Sequence, residues 1–417
     1  MDLKMWRLVL RQRARENKWV VEAGLVLFMG WGFALALLGR RRRAVDALSQ
    51  VHRTTRSPWI RKVVESYVIA NLEAVRMEPP LLDKLDLRKF FGNRLMVLKS
   101  PAADGEKGVL FVMFSSMFRL LRAGADVQKL LADYTLVFEP SWSGYCHPEL
   151  LEYTRWKQEI FVLAAEENDF AFLKRLGSNL VPVAVGPCDW VDPRVASPFL
   201  ENLKEFDIVM NSNWGAWKRH HVLFHMLKNA AQRYNVALIG VNWSGKTRAD
   251  IEQLANFFGV ADQLTIIEDI PYDQVMNITC RSKVSILLSL KEGSNRAIAE
   301  SIFCNVPVVV LTNHVGGIRK NIVPETGLLA EETDLEPTIA RLLHSDINPR
   351  EWGLEHISCF KSSEKLNLIV KEHALKQGQP WTRDLAVRSN SPESKYVITE
   401  DAKRLSPWNE GLKDYLK

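Results

Sequence analysis

The spacing of apolar and polar positions changes near residue 94. Before it, apolar residues recur at helical spacing across residues 44–92, as in WIRKVVESYVIANLEAV, until Pro79 and Pro80 break the pattern. After it, short apolar runs alternate with longer amphipathic stretches. Such alternation is typical of parallel sheets covered by helices, so the chain is predicted to be an α/β protein.

The apolar runs fall into two groups of five, separated by the Pro- and Asp-rich segment GPCDWVDPRVASP. The runs are residues 94–98, 108–114, 134–138, 159–165 and 180–186, then 206–212, 236–242, 264–270, 284–290 and 306–312. We therefore expect two Rossmann-like lobes, with ligands beyond the carboxyl ends of the strands. The predicted domains are a helical extension (1–92), a first lobe (93–198), a second lobe (199–345), and a C-terminal helix and tail (346–417) that packs back on the first lobe.

An apolar segment near the N-terminus, residues 20–38, lies between two basic clusters. Residues 1–43 hold ten Lys and Arg against three acidic residues, a local charge of +7, so this end accounts for the net charge of +6 on the whole chain. No small-residue cleavage site follows, which disfavours a signal peptide. A short transmembrane helix and a helix buried in the protein remain alternatives. We expect peripheral or anchored association with the cytoplasmic face of the membrane through residues 1–43, because basic flanks favour anionic lipid.

The five cysteines are widely spaced, and no CxxC pair occurs among them. This pattern argues against a disulfide framework and against a structural zinc site. The protein is therefore expected in a reducing cytosol.

The segment with the candidate ligand-binding residues begins at the predicted strand VSILLSL and continues as KEGSNRAIAESIFCNVPVVVLTNHVGG. A helix is predicted to start at Ser294 or Asn295 and to end by Asn305, so that its free N–H groups, with Gly293, can bind a diphosphate. Glu292 and Glu300 would be about 12 Å apart along a helix, which is roughly the reach from a transferred sugar to a ribose. Gly316 and Gly317 follow the next strand and would let a second loop approach the ligand closely.

This run, from Glu292 through the Gly pair to ETGLLA, resembles the donor site of retaining glycosyltransferases of the GT-B fold, especially family 4. The resemblance implies that Glu292 binds the transferred sugar and Glu300 the ribose. It also implies that Lys218, in NSNWGAWKRHH, binds the donor phosphates. The family's second phosphate-binding residue, an Arg, would fall near Ser212 or Asn213. Arg219, Lys246 and Arg296 are the candidates to replace it.

The resemblance implies retaining transfer from a nucleotide-diphosphate sugar without a metal and without a cofactor. Positive charge at the departing phosphate would then dominate catalysis. His147 is a candidate base for the acceptor, as are Glu166 and Glu167, and Ser115, Ser116 and Arg119 lie where an acceptor should enter.

The expected partners are a sugar nucleotide and a glycan or lipid-linked acceptor, with no nucleic acid. Two other classes of protein remain open. One is a non-catalytic binding or assembly protein of the same fold, which the missing Arg supports, and the other is a sugar-nucleotide epimerase or phosphorylase. Retention of both glutamates, the Gly pair and Lys218 favours transfer.

Overall fold

The computed structural model describes residues 3–76, 94–102, 105–198 and 203–417, with the side chains of residues 3 and 4 left aside. Pro79, Pro80 and the rest of the predicted helical stretch from residue 77 to 92 lie outside the described residues. The chain forms two compact units. Residues 18–187 and 362–417 make the β1–β5 unit, and residues 1–17 and 188–361 make the β6–β11 unit.

Sixteen α-helices are described: the first four precede the first strand, the last follows the last strand, and the others lie between strands. The helices are α1 (Leu3–Glu16), α2 (Lys18–Leu37), α3 (Arg41–Thr54), α4 (Pro58–Ala70), α5 (Ser115–Gly124), α6 (Val127–Asp133), α7 (Pro148–Leu151), α8 (Glu167–Leu176), α9 (His220–Asn229), α10 (Arg248–Phe258), α11 (Tyr272–Cys280), α12 (Arg296–Phe303), α13 (Leu335–Leu343), α14 (Pro349–His356), α15 (Cys359–Lys376) and α16 (Thr399–Gly411).

Each of the ten apolar runs overlaps a strand, and three further strands lie outside them. The strands are β1 (Leu95–Lys99), β2 (Gly108–Met113), β3 (Tyr134–Glu139), β4 (Ile160–Leu163), β5 (Leu180–Val183), β6 (Phe206–Asn211), β7 (Val236–Gly240), β8 (Leu264–Glu268), β9 (Ser282–Leu287), β10 (Val308–Leu311), β11 (Gly327–Ala330), β12 (Arg388–Asn390) and β13 (Ser394–Tyr396).

The β1–β5 unit is built on a sheet of order β1-β2-β3-β4-β5. Strands β2 to β5 are parallel, whereas β1 runs antiparallel to β2. The departure from an all-parallel sheet follows from the short connection between β1 and β2, because a parallel crossover needs a dozen or more residues. The tail packs on β1: the Asn409 side chain accepts the Val97 N–H at 2.8 Å, and the Tyr396 hydroxyl donates to the Val97 carbonyl at 2.7 Å.

Helix α2 packs on α3 along one face only. Its residues Met29, Gly32 and Leu35 are buried, and a Cβ at Gly32 would stand 2.8 Å from a methyl carbon of Leu48. Its other face exposes large apolar side chains: Trp19, Val20, Val26, Leu27, Phe28 and Trp31, with Leu37 at its end. By length and composition α2 is the one helix among the described residues that could cross a membrane.

The β6–β11 unit contains a parallel sheet of order β11-β10-β9-β6-β7-β8. The strand order reverses between β6 and β9, as in dinucleotide-binding folds, where ligands bind beyond the carboxyl ends of the strands at the reversal. Helix α1 belongs to this compact unit, although the sequence pattern grouped it with α2 to α4. Val9 of α1 is buried in the same apolar cluster as α9 and α10 of this unit.

Candidate active site

The loops that follow β6 and β9 meet at the reversal of strand order. These strands are parallel neighbours, so their carboxyl ends lie side by side. The loop after β6 ends in a short helical turn, Ala216–Lys218, and the loop after β9 carries Glu292. The Lys218 Nζ lies 2.6 Å from the Glu292 Oε1. The structure thus brings together two residues that are 74 positions apart and were predicted to share a site.

The Glu292 carboxylate is buried and held from two sides. Its Oε2 accepts a hydrogen bond from the Asn295 side-chain amide at 3.0 Å, while Oε1 faces Lys218. Burial acts to raise the pKa of Glu292, but the Lys218 ammonium and the hydrogen bonds to the carboxylate, among them that from Asn295, together lower the pKa below its ordinary value. Glu292 is therefore ionised at neutral pH, and it remains available to accept hydrogen bonds from hydroxyl groups.

Helix α12 begins immediately after this carboxylate. Asn295 is its N-cap, and the Asn295 Oδ1 accepts the Ile298 N–H at 3.1 Å. The predicted start of this helix at Ser294 or Asn295, and its end before Asn305, agree with the observed span. Ser294 has a different contact: its hydroxyl donates to the Cys188 Sγ at 2.6 Å and fixes the loop to the first residue of the unit's longer chain segment.

A second loop, after β10, is bonded to the first through its backbone. Glu292 N–H donates to Val315 O at 2.9 Å, and Gly317 N–H donates to Gly293 O at 2.6 Å. A Cβ on Gly316 would stand 2.6 Å from the His314 Nε2 and 2.9 Å from the Glu292 carbonyl oxygen. The absence of a side chain at Gly316 therefore permits this close approach of the two loops.

Glu300 is buried on α12 and is oriented by two neighbours. The Tyr272 hydroxyl donates to the Glu300 Oε1 at 2.8 Å, and the Arg296 Nε lies 2.9 Å from the same oxygen. Tyr272 opens α11, which follows β8. Sequence reasoning did not single out Tyr272, because only the fold brings the end of the β8 loop to α12.

Arg219 is buried and lies next to Lys218 in the chain, with a left-handed backbone (φ 63°). Its side chain donates to Glu16 Oε2 at 2.9 Å, to Leu288 O at 3.1 Å and to Glu332 Oε1 at 2.5 Å. The other candidates for the missing Arg are also paired: Lys246 with Asp250 at 2.9 Å and Arg296 with Glu300. Arg219 therefore anchors the turn that presents Lys218.

The candidate residues for the acceptor site lie in the β1–β5 unit. The His147 Nδ1 is 3.0 Å from the Glu149 Oε2, and this contact lowers the pKa of Glu149 to about 2 although burial acts to raise it. His147 and Arg119 line a cavity of about 280 Å³. Ser115 and Ser116 form the first turn of α5 after β2.

Of the two glutamates proposed beside His147, Glu167 is exposed, and Glu166 is the N-cap of α8. The Glu166 Oε2 accepts the Asp169 N–H at 2.9 Å, and Arg61 lies 3.5 Å away. In the structure Glu166 therefore caps the amino end of α8.

His314 was not singled out from the sequence, although it stands two residues before the Gly pair. It is buried, and its Nδ1–H donates to the Ser289 carbonyl at 2.7 Å. Burial lowers the pKa of His314, so the ring is neutral and Nε2 carries a lone pair. Among the described residues this Nε2 has no hydrogen-bond partner. A buried acceptor beside Glu292 is a natural position for a ligand hydroxyl or a water.

Comparison with known proteins adds a family match and a fold. Residues 194–355 match the model described as glycosyl transferases group 1. No curated protein matches the chain in sequence. Sucrose-phosphate synthase (tll1590) from Thermosynechococcus elongatus superposes with a TM-score of 0.51 at 15% identity, covering 64% of this chain and 74% of its own. The Anabaena protein Alr3699/HepE, in complex with UDP-glucose, superposes with a TM-score of 0.50 at 13% identity, covering 79% of this chain and 94% of its own. At these identities the likeness concerns the fold.

Proposed function

We propose, from the match of residues 194–355 to the model described as glycosyl transferases group 1, that this chain is a retaining glycosyltransferase of the GT-B fold that uses a nucleotide-diphosphate sugar. The observation that carries the proposal is the buried Lys218–Glu292 pair beyond β6 and β9, where folds of this kind bind nucleotides. A cation and a carboxylate side by side suit a ligand that carries both phosphate and hydroxyl groups.

The chemistry follows from the charges that face the donor. In this proposal the Lys218 ammonium and the first N–H groups of α12 stabilise the departing diphosphate. Glu292 accepts hydrogen bonds from the sugar, Glu300 accepts them from the ribose, and the Gly293–Asn295 turn and the Gly316–Gly317 loop bring backbone groups close. Protein charge and backbone N–H groups then supply the stabilisation, so the mechanism as proposed needs no metal ion.

His147 is the base that we propose for the acceptor. The ionised Glu149 accepts the Nδ1–H of His147 at 3.0 Å, which leaves Nε2 as the proton acceptor. Arg119, in the same cavity, would attract an anionic group on the acceptor. The proposed acceptor is a lipid-linked glycan or a surface polysaccharide at the cytoplasmic face of the membrane.

Membrane attachment is proposed to involve the apolar face of α2. Leu27 is 78% exposed and Trp31 is 54% exposed, whereas the opposite face of the helix is packed on α3. A helix with an exposed apolar face and basic flanks suits the interface of an anionic bilayer. The basic residues of α1 and Arg40 to Arg43 would add electrostatic attraction.

The test is to incubate the pure full-length protein with a panel of sugar nucleotides and to measure release of nucleoside diphosphate and the anomeric configuration of any product. Release with retained configuration is expected for one or a few donors. An epimerised sugar nucleotide without diphosphate release would favour the epimerase class. Neither binding nor release across the panel would favour a non-catalytic binding protein.

A further inference from the structure

Helix α1 is fixed to the β6–β11 unit by one stripe of its surface. The Gln12 side chain donates to Ala216 O at 2.7 Å, and Glu16 pairs with Arg219 at 2.9 Å and His221 at 3.2 Å. The Trp6 ring packs edge-on against Phe257 at 5.5 Å between centroids. These contacts hold α1 beside the loop that carries Lys218.

A second stripe of α1 lines a cavity of about 880 Å³. Arg7, Arg11 and Arg15 contribute to it from successive turns of the helix, since residues four apart share a face. The opposite wall contains Trp217 and Lys246, from the loops that follow the neighbouring strands β6 and β7. Cavities that bind small molecules have volumes of about 300–1,000 Å³.

The cavity attracts anions. Four of its lining residues are basic, of which Lys246 is paired with Asp250, and its one carboxylate, Glu16, is already paired with Arg219 and His221. In the described part of the chain, no hydrogen bond or ion pair involves the guanidinium groups of Arg7, Arg11 or Arg15. Arginine binds phosphate oxygens in a bidentate manner, so three arginines in a row favour a phosphate group over other anions.

The lining and its surroundings also offer apolar surface. Leu8 lies between the arginines, and Trp217 packs edge-on against Trp243 at 6.4 Å between centroids. Trp243 is 54% exposed. Exposed Trp and Leu side chains next to arginine are typical of proteins that bind at the polar surface of a bilayer. The ligand there is a lipid, and one end of it is apolar. The apolar surface favours a lipid over a nucleic acid or a free phosphate.

We propose that this cavity between α1 and the loops after β6 and β7 binds the phosphate group of a membrane lipid. The inference goes beyond the sugar-donor chemistry, and it does not require that sugar be transferred. The phosphate could belong to a bulk phospholipid or to a prenyl phosphate that carries the acceptor, and both share the group that the arginines recognise. The site would place that phosphate beside the loop in which Trp217 precedes Lys218.

The test compares vesicle binding by full-length protein for lipids with and without a phosphate. Phosphatidylcholine vesicles contain the same fraction of phosphatidic acid, farnesyl phosphate or oleate, the last supplying negative charge without phosphate. The variants are Arg7→Gln/Arg11→Gln/Arg15→Gln, Lys246→Met on the opposite wall, and a matched control, Arg41→Gln/Arg42→Gln/Arg43→Gln. Thermal melting checks that each variant is folded.

We expect the wild type to bind at least one phosphate lipid about tenfold or more tightly than oleate, as a bidentate pair implies. The α1 triple variant should lose this preference, Lys246→Met should reduce it, and the control should keep it while binding all anionic vesicles more weakly. Farnesyl phosphate preferred over phosphatidic acid would identify an acceptor lipid, and the reverse a bulk phospholipid.

Four results would overturn the proposal. They are no phosphate preference in the wild type, equal loss of preference in the two triple variants, an unchanged preference in Lys246→Met, and displacement of vesicles by equimolar inorganic pyrophosphate or single-stranded oligonucleotide. None of these outcomes bears on diphosphate release in the donor panel, so the two proposals fail separately.

Discussion

Glu16, in the first helix of the chain, accepts a hydrogen bond from Arg219, which is 203 residues away and adjacent to Lys218. Burial acts to raise the pKa of Glu16, but His221 and Arg219 together lower it. A carboxyl group with a lowered pKa stabilises the fold above its unfolded pKa and loses that contribution as pH falls through the folded value. Docking of α1 and the backbone of the Lys218 turn are thus stabilised by one carboxylate.

Glu16→Gln should therefore loosen α1 and lower stability by about 1.5–3 kcal/mol, the range for a hydrogen bond to a charged group. Limited proteolysis within residues 1–17 and the midpoint of urea unfolding measure the two effects. Glu252→Gln breaks the exposed Arg248–Glu252 pair of α10 and is the control, since exposed pairs of this kind contribute little. Equal protection of α1 in both variants would contradict the assignment.

Replacing Glu292 separates catalysis from folding. Glu292→Gln removes the carboxylate that faces Lys218 and should lower kcat/KM for sugar transfer by about 100-fold or more, the usual effect of a lost electrostatic contact at a reacting group. Glu106→Gln is a matched control, because Glu106 forms a buried pair with Lys99 at the same distance of 2.6 Å in the other unit. The control should lose stability and keep donor binding. Loss of donor binding in Glu106→Gln, or normal turnover in Glu292→Gln, would contradict the prediction.

Glu300→Ala tests the ribose contact. It should weaken nucleotide binding by about 1–3 kcal/mol through lost hydroxyl contacts, and Tyr272→Phe should give a smaller loss because it only frees the carboxylate to rotate. The Tyr234 hydroxyl donates to Glu336 at 2.8 Å, the same distance as in the Tyr272–Glu300 pair. Glu336→Ala is therefore the control in a calorimetric titration with nucleoside diphosphate. Equal losses of nucleotide affinity in Glu336→Ala and Glu300→Ala would contradict a specific ribose contact at Glu300.

Acid should destabilise the protein through buried histidines. Burial, with Lys218 and His221 nearby, lowers the pKa of His220 to about 3. The unfolded chain has an ordinary histidine pKa of about 6.5, so it binds a proton that the folded state excludes between pH 6.5 and 3. Stability should fall by about 1.4 kcal/mol per pH unit from this group in that interval. The urea midpoint of His220→Gln should depend less steeply on pH between 7 and 5, and an unchanged slope would contradict the assignment.

Polar substitutions on the exposed face of α2 test membrane attachment without opening the core. Leu27→Gln with Trp31→Gln should reduce sedimentation with anionic vesicles by about tenfold or more, because each removes an apolar side chain that lipid would cover. Leu368→Gln with Leu375→Gln is the control, since these side chains on α15 are similarly exposed. If both pairs sediment as the wild type does, the apolar face of α2 does not bind the membrane.

The fold was predictable from the sequence because buried parallel strands are continuous apolar runs. The start of α12 could also be predicted from the sequence, since asparagine is a favoured N-cap residue and Asn295 stands at that position. The antiparallel pairing of β1 was missed because the apolar runs alone do not give strand direction, although the connection between β1 and β2 is too short for a parallel crossover. The position of α1 could not be predicted either, since its contacts with Arg219, His221 and Glu332 join residues 200 or more apart.

The residues of the candidate site could be proposed from the sequence only where they lie on local motifs. Glu292, Glu300 and Lys218 are on motifs, and the structure places Lys218 and Glu292 in contact. The partners that fix their positions come from elsewhere in the fold: Tyr272 orients Glu300, and Glu16 holds Arg219. His314 is informative only when its burial and its unpartnered nitrogen are known.

The close contact between Gly32 and Leu48 limits how α2 can meet a bilayer. A helix that crosses the hydrocarbon core must be surrounded by lipid, and α2 could achieve this only by leaving Val45 and Leu48 of α3 uncovered. The carboxylate of Glu22, bonded to the Thr55 hydroxyl, would also have to be pulled from its partner. If α2 binds the bilayer only through its exposed face, the helix is immersed to half its thickness in one leaflet. The packing of α2 on α3 then sets the orientation of the protein on the membrane surface.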